Sequence, residues 1–277
     1  MNSRPDTYPM ATRSKTQSDS APSPGIPTPG DSYVQSFARG LQVIRSFSAQ
    51  APKQTLSDVA AATGLTRAGA RRILLTLQTL GYVESDGRLF ALTPRILDLG
   101  FAYLSSMPIW NLAEPELEAL ARQVQESCSI AVLDGTDVVY VMRVPVQKIM
   151  RVTLGVGSRL PAWCTSMGRL LLGGLPPEQA RERIAASQIQ AFTRHTLTDP
   201  TAIEARIAQA RRQGWTLTNQ ELEEGMISIA APIVDRAGRV VAALNISGQA
   251  NRTSAKVMQE TMLPPLQAAA QRISAML

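Results

Sequence analysis

Apolar residues first recur at helical spacing at Val34, Phe37, Leu41, Ile44 and Phe47, the stripe of an amphipathic helix. The stretch "QTLSDVAAATGLTRAGARRILLTLQTLGYV" then predicts two more helices separated by a tight break. Thr55 is placed to cap the first, with Asp58 three residues on to complete a capping box, and Leu56, Val59 and Ala60 supply its apolar side. Gly64 ends it, because a left-handed residue after a helix is least costly for glycine. Thr66 caps the next helix, whose buried face is predicted to be Ala70, Ile73, Leu74, Leu77 and Leu80. The period then falls to two. Tyr82–Glu84 and Arg88–Leu92 flank Ser85-Asp86-Gly87, and Asp-Gly between alternating runs signals a hairpin. Three helices followed by a hairpin is the element order of a winged helix-turn-helix.

Pro94 opens a further helix over 94–108, apolar on more than one side, that joins two halves and offers a face to another chain. Beyond it the pattern is mixed. Helices are expected in "PELEALARQVQES", "CTSMGRLLLGGL", "PEQARERIAAS", "AIEARIAQARRQG" and from Ser254 to the end. "SIAVLDGTDVVYVMRV" reads as a hairpin turning at Asp134–Asp137, and "KIMRVTLGVG" as another strand. "WTLTNQ", "ISIAAPIVD" and "RVVAALNISG" are strands too, the last two joined at Arg236-Ala237-Gly238. The fold class is α+β: a DNA-binding type of domain at 33–93, a linker helix at 94–108, and a compact α/β sensory domain at 109–277. Residues 1–32, rich in Pro, Ser and Thr, have no apolar period and are expected to be disordered, with Arg4, Arg13 and Lys15 as weak DNA contacts at most.

Charge sharpens this picture. The chain has 277 residues and a formal charge of +6. Between 33 and 95 eight basic residues face three acidic ones, so +5 of the total +6 lies in the first domain and the start of the linker. A local basic excess points to nucleic acid rather than to a generally sticky surface. Arg67 and Arg71 lie one helical turn apart, with Arg72 and Thr76 on the adjoining strip. In a helix-turn-helix these positions reach base edges and phosphates. Arginine pairs bidentately with guanine, and Thr66 and Thr76 can take a phosphate or a thymine methyl. Arg88 stands where the wing would meet backbone or minor groove; a solvated surface is the alternative for each of these residues, and the context favours DNA contact for Arg67, Arg71 and Arg72. Gly69, inside the recognition helix, costs about 1 kcal/mol relative to alanine and has no evident reason in the sequence.

Other chemistry is thin. Two cysteines, Cys128 and Cys164, make no disulfide framework and suggest a reducing compartment. No apolar run approaches the ~18 residues of a membrane span, the N-terminus lacks a signal-peptide core, and a cytoplasmic location is expected. An enzyme would need Cys164 or Ser166 working with His195, the single histidine, which sits in the polar loop "TRHTLTDP". No phosphate-binding loop, dinucleotide fingerprint or Cys/His metal cluster is present, and no cofactor or metal is expected. A ligand-free DNA-binding structural protein is a third reading, but it leaves the second domain without a task.

The first-domain residues, with "SFARGLQVIRSFS" ahead of them, resemble the DNA-binding domain of the IclR family of bacterial transcriptional regulators, and the resemblance runs over 33–277. "GSRLPAWCTSMGRLLL" is similar to the family's Gly-x-x-Leu-Pro…Gly-Lys/Arg-x-Leu-Leu segment, and "EGMISIAAPIVDRAGRVVAALNISG" to its effector-domain signature. "TRAGARRILLTL" and "PAWCTSMGRLLL" resemble in particular the PcaR/PobR subgroup, which responds to aromatic-acid catabolites. The resemblance implies a GAF-like effector domain that binds a small carboxylated metabolite, a double-stranded operator as partner, and a homodimer or tetramer. It places the effector against Ile149, Val152, Leu160, Ser166, Met167, Thr218, Met226, Ser228, Asn245 and Ser247. The residues agree in part: Ser166 near a helix start offers free N–H groups and a hydroxyl to a carboxylate. Asn245 and Ser247 are polar on one face of an apolar strand, turned either to solvent or to a ligand. Family members with an acidic or thiol residue at the positions of Thr218 and Ser228 imply a different acid here. Arg151 is a further carboxylate partner or a surface charge. Repressor and activator use the same parts and are not distinguished.

Overall fold

The computed structural model describes residues 30, 33–105, 109–146 and 154–277. The N-terminal domain contains α1 (Gln35–Ser46), β1 (Lys53–Thr55), α2 (Leu56–Thr63), α3 (Arg67–Thr79), β2 (Val83–Ser85) and β3 (Leu89–Leu92). The capping signals act as expected. Thr55 and Asp58 form a reciprocal capping box, Gly64 takes φ +66°, and Thr66 Oγ1 accepts from the Gly69 amide at 3.1 Å. Gly87 turns the hairpin at φ +96°, and Asp86 accepts the Arg88 and Leu89 amides. Strand β1 escaped the sequence reading. It pairs with β3 to make a three-stranded sheet ordered β1-β3-β2, and three residues are too few for a period to register.

Val43, Val59, Ala70 and Leu74 form the fully buried centre of this domain, joined by Ala60, Leu77 and Val83. Four expected apolar positions lie outside the core. Leu80 follows the last turn of α3 and is half exposed. On α1 the residue in the core is Val43, while Val34, Phe37 and Leu41 face outward. The first helix therefore has two apolar sides, and a single chain buries only one.

Pro94–Ile96 forms a 3-10 turn that leads into α4 (Leu97–Ser105). Arg95 is drawn back over the Tyr82 ring, 5.8 Å from its centroid. Helix α5 (Ile109–Val124) starts six residues before the predicted helix and carries Pro115 inside it. The tail positions before Tyr33, other than Gly30, and Met107 of the linker lie outside the described residues.

The second domain is a six-stranded antiparallel sheet ordered β6-β5-β4-β9-β8-β7. Its strands are β4 (Ser127–Asp134), β5 (Asp137–Val144), β6 (Arg159–Pro161), β7 (Thr216–Asn219), β8 (Met226–Val234) and β9 (Val240–Gln249). The predicted strand over 148–157 is not where the sheet gains its edge. Residues 147–153 lie outside the described residues, and the edge strand is Arg159–Pro161. One face of the sheet carries Ile227, Ile229, Ile233, Leu244 and Ile246 against α5 and the C-terminal helix α10 (Leu263–Ala275), which α9 (Ala255–Val257) and a π-helical turn precede. Arg272 and Glu116 link α10 to α5 at 2.7 Å. Helices α6 (Ser166–Gly174) and α8 (Pro200–Gln213) cover the other face, with α7 (Pro177–Ala185) outside them.

Helix α6 can lie this close because of one glycine. A Cβ on Gly168 would stand 2.1 Å from the Ala162 carbonyl oxygen and 2.3 Å from its Cα, both backbone atoms that have no rotamer to escape into. Gly168→Ala is expected to destabilise the second domain by about 2 kcal/mol or more, read as a lower urea midpoint at unchanged m-value.

Candidate DNA-binding face and effector site

On α3 the core residues Ala70, Leu74 and Leu77 fix which strip is left outside. Arg67, Arg71, Leu75 and Gln78 form one outer strip. With Thr55, Leu56 and Ser57 at the start of α2, and Ser85, Gly87, Arg88 and Phe90 of the wing, they line a groove of about 670 Å³. The fold thus brings Arg67, Arg71 and Arg88 together across one groove. Arg72 and Thr76, exposed on the neighbouring strip, do not line it. Thr66 is exposed and spends its hydroxyl on the helix cap, while Thr76 Oγ1 donates to the Arg72 carbonyl at 2.9 Å. Leu75, Gln78 and Ser57 were not singled out from sequence, because only the packing of α2 and the wing on α3 selects them. Gly69 has a local reason as well: a Cβ there would sit 3.2 Å from Thr66 Oγ1, the atom that caps the helix.

In the second domain, strand register aligns a polar floor beneath α6. Arg143, Ser129, Asn245, Ala230 and Thr216 are successive cross-strand partners on β5, β4, β9, β8 and β7. The next row is Ser127, Ser247, Ser228 and Thr218. Because alternate residues of a strand share a face, both rows look the same way, towards α6. They are not solvent positions. Asn245 is 2% exposed and Ser129 0%, and Ser228, Ser247, Thr216 and Thr218 are buried. Of the solvent and ligand alternatives for Asn245 and Ser247, burial removes solvent.

Such a floor must satisfy its own hydrogen bonds, since a buried polar group without a partner costs about 1–3 kcal/mol. Ser228 Oγ is the hub. It meets Ser166 Oγ at 2.8 Å, receives the Asn245 amide at 3.0 Å, lies 3.4 Å from Ser247 Oγ and donates to the Ile246 carbonyl at 3.2 Å. That is four contacts for a hydroxyl with one proton and two lone pairs. Asn245 Nδ2 also reaches Ser247 Oγ at 2.9 Å, but its Oδ1 is buried with no partner among the described residues. Arg143 Nη1 donates to Ser129 Oγ at 3.1 Å.

Above the floor, Thr165 caps α6 by accepting from Gly168 N at 3.2 Å, which leaves the Ser166 and Met167 amides in the unpaired first turn. A buried ion pair anchors this end of the helix. Arg169 Nη1 and Nη2 take both Glu221 oxygens at 2.7 and 2.6 Å, and Nε donates to the Trp163 carbonyl at 3.0 Å. Glu221 belongs to the β7–β8 connection, to which Thr193 and Thr196 also donate. The polar loop containing His195 is therefore fastened by its threonines.

The predicted site residues divide accordingly. Ser166, Ser228, Asn245 and Ser247 are in hydrogen-bonding contact, and Thr218 and Met226 share their face of the sheet. Met167 is buried in the apolar cluster under α6. Leu160 packs on the same cluster from β6, four strands from Ser228 in the sheet order. Ile149, Arg151 and Val152 lie outside the described residues. Ser127, Ser129, Thr216 and Arg143 were missed. The signal for the first three is a small polar residue at every second position of a predicted strand, and for Arg143 a charge inside one, but the meaning of either depends on register.

The enzyme constellation does not assemble among the described residues. Cys164 is buried, and burial pushes its thiol up to about 12. Ser166 bonds Ser228, and the exposed His195 accepts from Arg194 Nε at 3.1 Å.

Residues 36–87 match the IclR helix-turn-helix domain, and residues 101–275 match the C-terminal domain of the bacterial transcriptional regulator IclR. The chain is 43% identical over 238 residues to the Pca regulon regulatory protein of Pseudomonas putida, covering 86% of this chain and 82% of that one. A transcriptional regulator from Rhodococcus sp. RHA1 has a similar structure, with TM-score 0.80 and 48% identity, covering 88% of this chain and 98% of that one. An IclR homologue of Microbacterium hydrocarbonoxydans, solved in complex with 4-hydroxybenzoate, gives TM-score 0.77 at 26% identity, covering 87% and 98%. These families and relatives are regulators rather than enzymes. A basic recognition helix on a winged domain, joined to a second domain with a buried polar floor, is the two-part body of a DNA-binding transcriptional regulator, and this chain belongs to the IclR family.

Proposed function

We propose that this regulator reads its operator with the α3–wing groove and is controlled by a small aromatic acid held between α6 and the polar floor. The observation that carries the second half is the floor itself, a buried hydroxyl and amide cluster under a helix N-terminus in an otherwise apolar domain. Polar groups buried beneath a helix start direct a ligand's orientation. The 4-hydroxybenzoate bound by the Microbacterium homologue supports the aromatic class. Ser166, Thr218, Met226, Ser228, Asn245 and Ser247 contact the acid, with Met167 and Leu160 closing the apolar side.

On the DNA side Arg67 and Arg71 read or anchor the major groove, Arg88 meets the backbone beside it, and Thr66, Arg72 and Thr76 hold phosphates on the flank. The working division is a DNA-binding domain at 33–93, a linker at 94–108 and an effector domain at 109–277. The regulator is a homodimer in the cytoplasm, where a bacterial chromosome is found. Its exposed apolar residues supply the contact: Phe37 on α1 is 68% exposed and Phe101 on α4 69%, and Val34, Leu97 and Leu99 are exposed as well. Large exposed apolar surface marks interfaces. An effector changes DNA binding only to the extent that it prefers one arrangement of the two DNA heads over the other.

Arg71→Ala is expected to weaken operator binding about tenfold or more while leaving effector affinity intact; fluorescence anisotropy with labelled operator tests this, and unchanged affinity removes Arg71 from the contact set. Ser247→Ala lowers calorimetric affinity for the cognate aromatic acid about fivefold or more without altering DNA binding in its absence, since a ligand hydrogen bond is worth roughly 1 kcal/mol. Phe101→Asp is expected to give a monomer in sedimentation velocity; a dimer of unchanged stability would place the interface elsewhere.

A further inference from the structure

Arg143 was not among the residues singled out from sequence, yet register places it at the end of the polar floor. It is the cross-strand partner of Ser129, which is in turn the partner of Asn245. Its guanidinium reaches back over β4 to donate to Ser129 Oγ at 3.1 Å, a contact that uses one of its five N–H donors. Among the described residues no carboxylate stands within ion-pair distance of it. Nearby Glu126 lies on the opposite side of the sheet, against Gly248. The other large cation of this region, Arg169, is already committed to Glu221 in a bidentate pair. Arg143 is thus a half-buried positive charge beside a hydroxyl cluster, with no anion among the described residues to neutralise it.

One strand further in, Asn245 has the opposite lack. Its amide nitrogen is used twice, on Ser228 and Ser247, while its Oδ1 accepts nothing among the described residues. Glu223 Oε2, the other buried side-chain oxygen without a partner among the described residues, belongs to the β7–β8 connection on the far side of the sheet order from Arg143. Ser129 stands between Arg143 and Asn245, and neighbouring strands are about 4.8 Å apart. A carboxylate on Arg143 and a hydroxyl on Asn245 are thus separated by a distance that one benzene ring bridges.

Resting on the reading of this face as the effector site, we infer that Arg143 and Ser129 hold the effector's carboxylate and that Asn245 Oδ1 accepts a hydroxyl proton from the same molecule. The ligand class that completes both groups is a hydroxy-substituted aromatic monocarboxylate. Ser166 and the first-turn amides of α6 then cover it from above. The arrangement discriminates by charge at one end and by a donor at the other. A benzoate without the hydroxyl leaves Oδ1 unpaired, and an uncharged phenol leaves Arg143 as it is.

The test is calorimetry on the full-length protein and its Arg143→Gln and Arg143→Lys variants, titrated with 4-hydroxybenzoate, 3-hydroxybenzoate, benzoate, adipate and the uncharged 4-hydroxybenzyl alcohol. The wild type is expected to prefer one hydroxybenzoate over benzoate about tenfold. R143Q is expected to lose about 30-fold or more of that affinity, with R143K intermediate and the alcohol unaffected by either change. Equal binding of the hydroxybenzoate by wild type and R143Q overturns the role of Arg143 while leaving the aromatic-acid reading in place. Equal affinity of the wild type for benzoate overturns the role of Asn245. If adipate alone binds and R143Q abolishes it, the anion arm stands and the aromatic reading falls. If none of the acids binds the wild type, both fall.

Discussion

The 2.8 Å contact between Ser166 and Ser228 is where the second domain is held to a single geometry. It joins a helix N-terminus to the middle of a sheet through two hydroxyls, in a layer that apolar side chains would otherwise fill. Three other features have to be in place for it to exist. Gly168 lets α6 settle onto Ala162, Arg169 holds the same end of the helix to Glu221 and Trp163, and the β8–β9 register sets Ser228 opposite Ser247. A polar cluster buried this way adds little net stability. It costs desolvation and recovers it only if every group finds a partner. Among the described residues one buried oxygen of the cluster lacks a partner and the guanidinium at its edge lacks an anion, and these are the groups the proposed ligand would complete.

The N-terminal domain solves a simpler problem. A small core centred on Val43, Val59, Ala70 and Leu74 fixes α3 against α2 and the wing, and everything α3 does not bury becomes its reading face. Three of the domain's arginines, Arg67, Arg71 and Arg88, line the groove that results. The same economy leaves α1 and α4 with apolar sides that a single chain does not cover. In the proposed homodimer these faces are the ones that would meet across the subunit contact.

The two domains were legible in the sequence to different degrees. The helix caps at Thr55 and Thr66, the glycine stops and the Asp-Gly hairpin are local signals that act within a few residues, and each appears as read. Polarity at Asn245 and Ser247 was also visible, but its direction was not. A polar residue on a strand looks the same whether it faces water or a neighbour across the sheet. Strand β1 and the edge strand β6 are each three residues long, below the length at which alternation can be recognised.

What the sequence determined by itself is what local chemistry determines: where helices begin and end, where the hairpins turn, where the charge lies and which family pattern the segments follow. Tertiary structure decided the rest. It made Val43 rather than the outer stripe of α1 the core residue, and it gave Arg169 to Glu221. It lined up Arg143, Ser129, Asn245 and Thr216, which are 14, 116 and 29 residues apart along the chain, in one row. Pairing across a sheet is set by the sum of contacts over both faces, and a slip of one residue would turn every one of these side chains to the opposite face. No local pattern carries that information, so the site became visible only when the strands were in register.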